Sequence, residues 1–180
     1  CARELRALLP PEGPVLVLGV GNRRITADAL GPRTVQRILV TMGAGAAPPV
    51  RGLRPVAAVA PGVAAATGLS LQQLAAAVVC VDSLCSAEGQ RLGRTVQFSD
   101  SGLYPAQADH TRHLTRDTLG VPVVAAGIPT LMQAQEGADL VVTPRALDSV
   151  IAHGAALLAG SVNRALQPRL TVQQLCWLTG

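Results

Sequence analysis

Five apolar runs mark the chain, each bounded by glycine, proline or a polar turn. The first, Val15-Leu16-Val17-Leu18, has no polar residue inside it, and the stretch 14–19 predicts a strand buried on both faces. Further strands are expected over 54–60, closed by Pro61-Gly62, from Ala77 to Asp82, over 94–98 and over 121–127. Between these runs the apolar spacing widens to that of helices. Residues 2–9 read as a short amphipathic helix ended by Pro10 and Pro11. Thr26 is placed to cap a helix that runs to about Met42, with Val35, Ile38 and Leu39 on one side. A loop at 43–49 and a short helix from Ser70 to about Ala76 follow. Thr143 and Pro144 are placed to open a long helix whose buried side is Leu147, Val150, Ile151, Leu157, Leu158 and Val162.

Apolar strands alternating with helices predict an α/β fold: three layers, with a mainly parallel sheet and helices on both faces. No internal repeat or second domain is visible, so residues 1–180 read as a single domain. Only about eight residues separate Gly68 from the strand at Ala77, and the stretch from Met132 to Leu140 is similarly short. A right-handed crossover normally needs a dozen or more. Both places are therefore expected to carry loops that are longer in the biological protein, and the start at Cys1 rather than Met points to residues upstream.

The composition narrows the class. Hydrophobic residues make up 49% and charged residues 14%, mostly Ala, Val and Leu against very few aromatics (Phe98, Tyr104, Trp177), which fits a compact core of small side chains. No apolar run reaches the roughly 18 residues of a membrane span, and no signal peptide is visible. The net charge of +4 comes from arginine alone, since there is no lysine. The arginines are scattered, with Arg23-Arg24 the one adjacent pair, so direct binding to nucleic acid is not expected. Cys1, Cys80, Cys85 and Cys176 form no Cys-x-x-Cys pair, and Cys80 lies in an apolar run; a reducing, cytoplasmic setting is the simplest reading.

The loop after the first strand admits two readings. Gly19 and Gly21 after a strand suit a dinucleotide cradle, but Arg24 stands where the third glycine of that fingerprint belongs. The other reading makes the loop a carrier for Asp28. In open α/β sheets sites lie beyond the carboxyl ends of strands; Asp28 follows the first strand and Asp82 ends the third. If those strands are neighbours, the two carboxylates share a crevice. One then keeps its proton while the other activates water, which hydrolyses an amide without metal or cofactor. Each Asp also has an ordinary reading, as compensation for a helix dipole or as a strand-end cap. Asp100 reads as a turn residue. Asp109, His110 and His113 have metal-ligand residue types, but a solvated loop is the preferred reading of them. His153 falls on the polar side of its helix. Ser83 and Ser86 have no evident histidine partner, and Cys85 has no placed base.

Several long strings, GNRRITADALGP, RPVAAVAPGVAAATG, VVCVDSL, RTVQFSDSGLYP, TLGVPVVAAGIPT, VTPRALDSVI and LLAGSVNRALQP, occur in one order. In them the chain resembles the germination proteases of endospore-forming bacteria over about residues 13 to 168. The resemblance implies an atypical aspartic endopeptidase that degrades small acid-soluble, DNA-coating spore proteins during germination. It implies a precursor with a propeptide, a homo-oligomer (a tetramer), a location in the forespore or spore core, and a hydrogenase-maturation-protease-like fold. No cofactor, metal or membrane is implied. The family's catalytic aspartates fall on Asp28 in TADALGP and Asp82 in VDSL. The chain departs from the family pattern at Arg23, where tryptophan is usual, in DSLCSA, in AQADHTRHL and in the short stretch LMQAQEGADLV. Two rival readings have their own signatures. A hydrogenase-maturation-type protease would read a metal on its substrate. A catalytically inactive peptide-binding paralogue would hold its aspartates far apart or paired to arginine.

Overall fold

A computed structural model of the chain describes residues 1–42, 51–60, 75–104, 113–133 and 141–180. The expected loop at 43–49, the short helix after Ser70 and most of the Met132–Leu140 stretch lie outside them. The described elements are helices α1 (Ala2–Ala7), α2 (Leu30–Val35), α3 (Arg116–Leu119), α4 (Leu147–Leu166) and α5 (Val172–Thr179), and strands β1 (Val15–Gly19), β2 (Val56–Val59), β3 (Ala77–Cys85), β4 (Gln97–Ser99), β5 (Val123–Gln133) and β6 (Val141–Val142). The sheet runs β2-β1-β3-β5-β4, and β6 pairs with β5. β1, β2, β3 and β5 are parallel, whereas β4 and β6 run antiparallel to β5. The mainly parallel α/β sheet expected from the pattern is thus the observed one.

Alternation along β3 divides the core. Ala77, Val79 and Val81 join Leu5 of α1, Leu30 of α2 and Ile151, Leu158 and Val162 of α4 in one apolar cluster. Val78 and Cys80 point the other way, onto Val121, Val123, Ala125 and Leu103, with Leu119 of the single-turn α3 packed against them. Both faces therefore carry helix, with the bulk on the first. Small residues let α4 lie close: a Cβ at Gly154 would come within 2.6 Å of the Ile128 side chain. Two buried amides fasten α4 to the loops. Asn163 accepts from the Leu39 N–H and donates to the Arg37 carbonyl, both at 2.9 Å, and Gln167 does the same for Arg54 at 3.0 and 2.8 Å. Replacing Asn163 with Ala orphans a donor and an acceptor at a site 4% exposed; a loss of about 2–4 kcal/mol in urea unfolding is expected.

Several expected boundaries are corrected. The helix expected from Thr26 to Met42 is broken in two: Thr26–Asp28 form one 3-10 turn capped by Ile25, and α2 starts at Leu30 and stops at Val35. Pro32 explains the break, because in a continuous helix it would lack the N–H for the Asp28 carbonyl and its ring would press on that group. At Leu30 the same proline falls in the first turn, where its missing N–H costs nothing. β3 does not end at Asp82 but continues to Cys85. The fourth strand covers 97–99 rather than 94–98, and β5 extends to Gln133. Thr143 and Pro144 do not open α4, which begins at Leu147; Pro144 packs instead beside Gly93, where a Cβ would meet its ring at 3.2 Å. Leu157 is exposed, at the rim of a cavity of about 370 Å³ between α4 and Arg94–Val96, because it sits a turn's third away from the Ile151–Leu158 stripe. Helix α5 was unforeseen, although Thr171 and Gln174 supply its capping box.

Candidate active site

The chain leaves β1 for β2 on one side of the sheet and then returns to β3 on the other side of β1. The order reverses at that point, so a crevice opens between the carboxyl ends of β1 and β3. The last paired residues are Gly19 and Val81, and the Val20 N–H donates to the Val81 carbonyl at 2.8 Å. Asp82 is the next residue on β3, beside a neighbour strand that has just ended.

The loop from Gly21 to Asp28 bends back on itself through short local bonds. Gly21 has φ 114, in the left-handed region, and a Cβ there would meet the Asp28 carbonyl and lie 2.8 Å from its Oδ1. Only glycine lets the loop close this tightly. The Asn22 N–H donates to Asp28 Oδ2 at 2.6 Å, and the Asn22 side-chain oxygen accepts from the Arg24 N–H at 2.9 Å. The Ile25 N–H donates to the Asn22 carbonyl at 3.0 Å and the Asp28 N–H to the Ile25 carbonyl at 2.9 Å. From the sheet, the buried Thr130 hydroxyl of β5 donates to the Ala27 carbonyl at 2.8 Å and pins the 3-10 turn over the strand ends. Gly21 thus serves the turn that holds Asp28, as the second of the two readings of this loop expects, while Gly19 makes room for Gly31 and Val35 of α2.

Asp82 is 8% exposed, and its Oδ1 accepts from the Ser83 N–H at 2.7 Å. Burial pushes its carboxyl up to about 6; the Ser83 N–H pulls against that rise, and the nearby charge of Asp28 adds to it. The two carboxylates are therefore electrostatic neighbours in one crevice. Neither pairs with an arginine; among the described residues the ion pairs are Arg3–Glu4 and Arg91–Glu88. Arg23 turns toward the end of α2, where the Gln36 amide, turned so that its oxygen faces the guanidinium, accepts from its Nη1 at 2.7 Å and Nη2 at 3.1 Å. Cys80, two residues before Asp82, has its thiol pushed up to about 12 by burial, with the charge of Asp82 adding to the rise, so it is an inert core residue.

Of the other candidates, Ser83, Cys85 and Ser86 follow Asp82 along and just past β3, and the rest lie apart from this pair. Asp100 follows β4, with β5 between it and β3. His113 meets Tyr104 edge-on at 4.9 Å between ring centroids, while Asp109 and His110 lie outside the described residues. His153 is exposed on α4, its Nδ1 3.1 Å from the Ser149 hydroxyl. Ser86 donates to the Glu88 carbonyl. Sequence reading missed Asn22 and Thr130, which position Asp28. Asn22 carried a local signal, as a polar residue in the loop after β1, whereas Thr130 lies inside β5 and its role depends on the tertiary placement of the 3-10 turn.

Comparison with known proteins shows the family. A family model described as germination protease matches residues 9–137, a span that includes both aspartates and β1 through β5. The germination protease of Clostridium perfringens (strain 13 / Type A) is 29% identical, over 93% of this chain and 70% of its own. That of Halalkalibacterium halodurans is 38% identical over 77% of this chain and 40% of its own, and that of Bacillus velezensis 32% over 89% and 46%. Among solved structures, the hydrogenase maturation protease HycI from Thermococcus kodakarensis KOD1 superimposes with a TM-score of 0.49 at 20% identity, over 88% of this chain and 98% of its own. No helix among the described residues is long and apolar enough to cross a membrane. With a family model that covers the crevice and the strands that build it, this chain belongs to the germination protease family of peptidases.

Proposed function

We propose that this protein is an endopeptidase that degrades small acid-soluble spore proteins during germination, using Asp28 and Asp82 to activate water. The observation that carries the reading is the pairing of a half-buried carboxylate with a buried one of raised proton affinity in a single crevice. Ionised Asp28 takes a proton from the attacking water. Protonated Asp82 hydrogen-bonds the scissile carbonyl and stabilises the oxyanion as it forms. When the intermediate collapses, the proton gathered by Asp28 passes to the departing amine, and Asp82 is left protonated for the next turnover. The exposed apolar residues Val172, Trp177 and Leu178 of α5 favour a homo-oligomer, which sedimentation of the purified chain tests directly.

The assignment of Asp82 as the acid has a pH signature. Its carboxyl titrates at about 6, so kcat/KM for spore-protein cleavage is expected to fall close to tenfold per pH unit above that point. A flat profile from pH 6 to 8 would remove Asp82 from the acid role. The decisive experiment incubates the purified chain with an acid-soluble spore protein, wild type against Asp82→Asn, with and without chelator. Cleavage by the wild type alone, indifferent to chelator, is the expected result. Inhibition by chelator, reversed by added metal, would replace this mechanism with a metal-reading one.

A further inference from the structure

β3 outlasts β1 by four residues. Beyond Val81 it is paired only with β5, from Asp82 opposite Gly127 to Cys85 opposite Leu131. A strand in a parallel ladder turns its backbone groups alternately to its two neighbours. The Val78 N–H donates to the Pro122 carbonyl at 2.9 Å, toward β5, whereas the Val81 carbonyl accepts from Val20, toward β1. The same alternation turns the backbones of Ser83 and Cys85 toward the β1 side, where β1 no longer runs. Among the described residues, the Ser83 N–H is held by the Asp82 carboxylate at 2.7 Å, and no backbone hydrogen bond occupies the Ser83 carbonyl or the Cys85 N–H and carbonyl on that side. Burial falls along the same stretch, from buried Asp82 through half-buried Ser83 and Leu84 to exposed Cys85. A short open strand edge thus begins one residue after one candidate carboxylate.

We propose that Ser83–Cys85 is the docking edge for the peptide substrate, which adds in extended form as a strand beside β3, in the line that β1 has left. The inference rests on the peptidase reading above and says how the substrate is held. An unpaired edge is a template for another chain, and main-chain hydrogen bonds bind a peptide whatever its side chains. Three residues suit a peptide better than a second folded copy, whose own edge would have to enter the crevice. Pairing also extends the substrate, so that a peptide bond otherwise hidden in a helix or turn is presented to Asp28 and Asp82. Substrate residues whose N–H groups meet the Ser83 and Cys85 carbonyls lie two apart, and the residue between them faces away from β3.

That spacing gives the test. The first bond cut in an acid-soluble spore protein is mapped by mass spectrometry, and a synthetic peptide spanning it is N-methylated one residue at a time. Methylation at two positions spaced two apart is expected to raise KM about three- to tenfold each, while methylation of the residue between them leaves KM within about twofold. In parallel, amide exchange of Asp82→Asn protein is followed with the unmethylated peptide bound, and the Cys85 N–H is expected to slow at least tenfold. An unchanged Cys85 amide under saturating peptide, or a KM rise without alternation, overturns the proposal. So does protection of Cys85 that grows with protein concentration in the absence of peptide, which would assign the edge to a second copy. If no bond is cut at all, the peptidase reading fails separately, and exchange with the intact spore protein still decides whether the edge binds an extended chain.

Discussion

Asp82→Asn is expected to cost at least a hundredfold in spore-protein cleavage and, at the same time, to make the protein more stable at neutral pH. The first effect follows from the division of labour in the crevice. An amide at position 82 still accepts the Ser83 N–H, but its weakly acidic N–H stabilises the developing oxyanion far less than a carboxylic acid does, and Asp28, occupied with the water proton, cannot take over that role. Asp28→Asn should show a loss of similar size, because the base is then missing. The second effect follows from burial. A carboxyl raised from 3.8 to about 6 holds its proton more tightly when folded than when unfolded. Below about pH 4 both states are protonated and the substitution has little effect. Between about pH 4 and 6 the unfolded chain gives up the proton first, so the wild type loses stability as pH rises. Above pH 6 the full penalty is present, on the order of 2–3 kcal/mol at this nearly buried position. Asn escapes it, so urea midpoints of the two proteins should coincide near pH 4 and separate by pH 7, with the variant the more stable. A variant that keeps near-wild-type cleavage refutes the pair. A variant no more stable than wild type at pH 7 refutes the buried, proton-retaining Asp82.

The local patterns carried the strands well and their surroundings less well. Val15–Gly19 is flanked by β2 and β3, buried on one face and half-buried on the other, so an unbroken apolar run suits it. β3 reads the same way as far as Val81 and then changes to Asp-Ser-Leu-Cys, which looks like a loop. It remains a strand because β5 alone supplies its hydrogen bonds there, and that partner is fixed by tertiary register, which no local pattern contains. The same missing information separates the two aspartates. Each was visible at an element's end, but their meeting depends on β3 lying next to β1 rather than next to β2. Pro32 and the Thr171/Gln174 capping box are different. Both signals were local and sufficient to break one helix and start another, but the apolar periodicity of Val35-Ile38-Leu39 outweighed the first and the polar surroundings masked the second.

Gly31→Ala is expected to be among the most damaging single methyl groups that can be added to this protein, although it sits in a helix where alanine is normally favoured. Gly31 is the second residue of α2 and lies against the seam between β1 and β3. A Cβ there would run into the Val20 and Val81 carbonyl oxygens and lie 2.6 Å from the Val20 nitrogen. The Val20 nitrogen and the Val81 oxygen are the two ends of the hydrogen bond that closes β1 onto β3 directly before Asp82. They are backbone, so they yield only if α2 lifts or the strands part. Overpacking of this kind costs about 1–3 kcal/mol, and breaking a buried ladder bond adds about 1 kcal/mol or more. A total loss near 3 kcal/mol in urea unfolding is expected, together with reduced cleavage, because the turn that holds Asp28 leads straight into α2. Gly160 supplies the control. It lies exposed in the middle of α4, and a Cβ there meets nothing within 4 Å. At that position the same substitution should stabilise the protein by about 0.5–1 kcal/mol through helix propensity alone, with cleavage unchanged. If Gly31→Ala is as benign as Gly160→Ala, α2 does not press on the β1–β3 seam, and the packing that places Asp28 beside Asp82 is not as described.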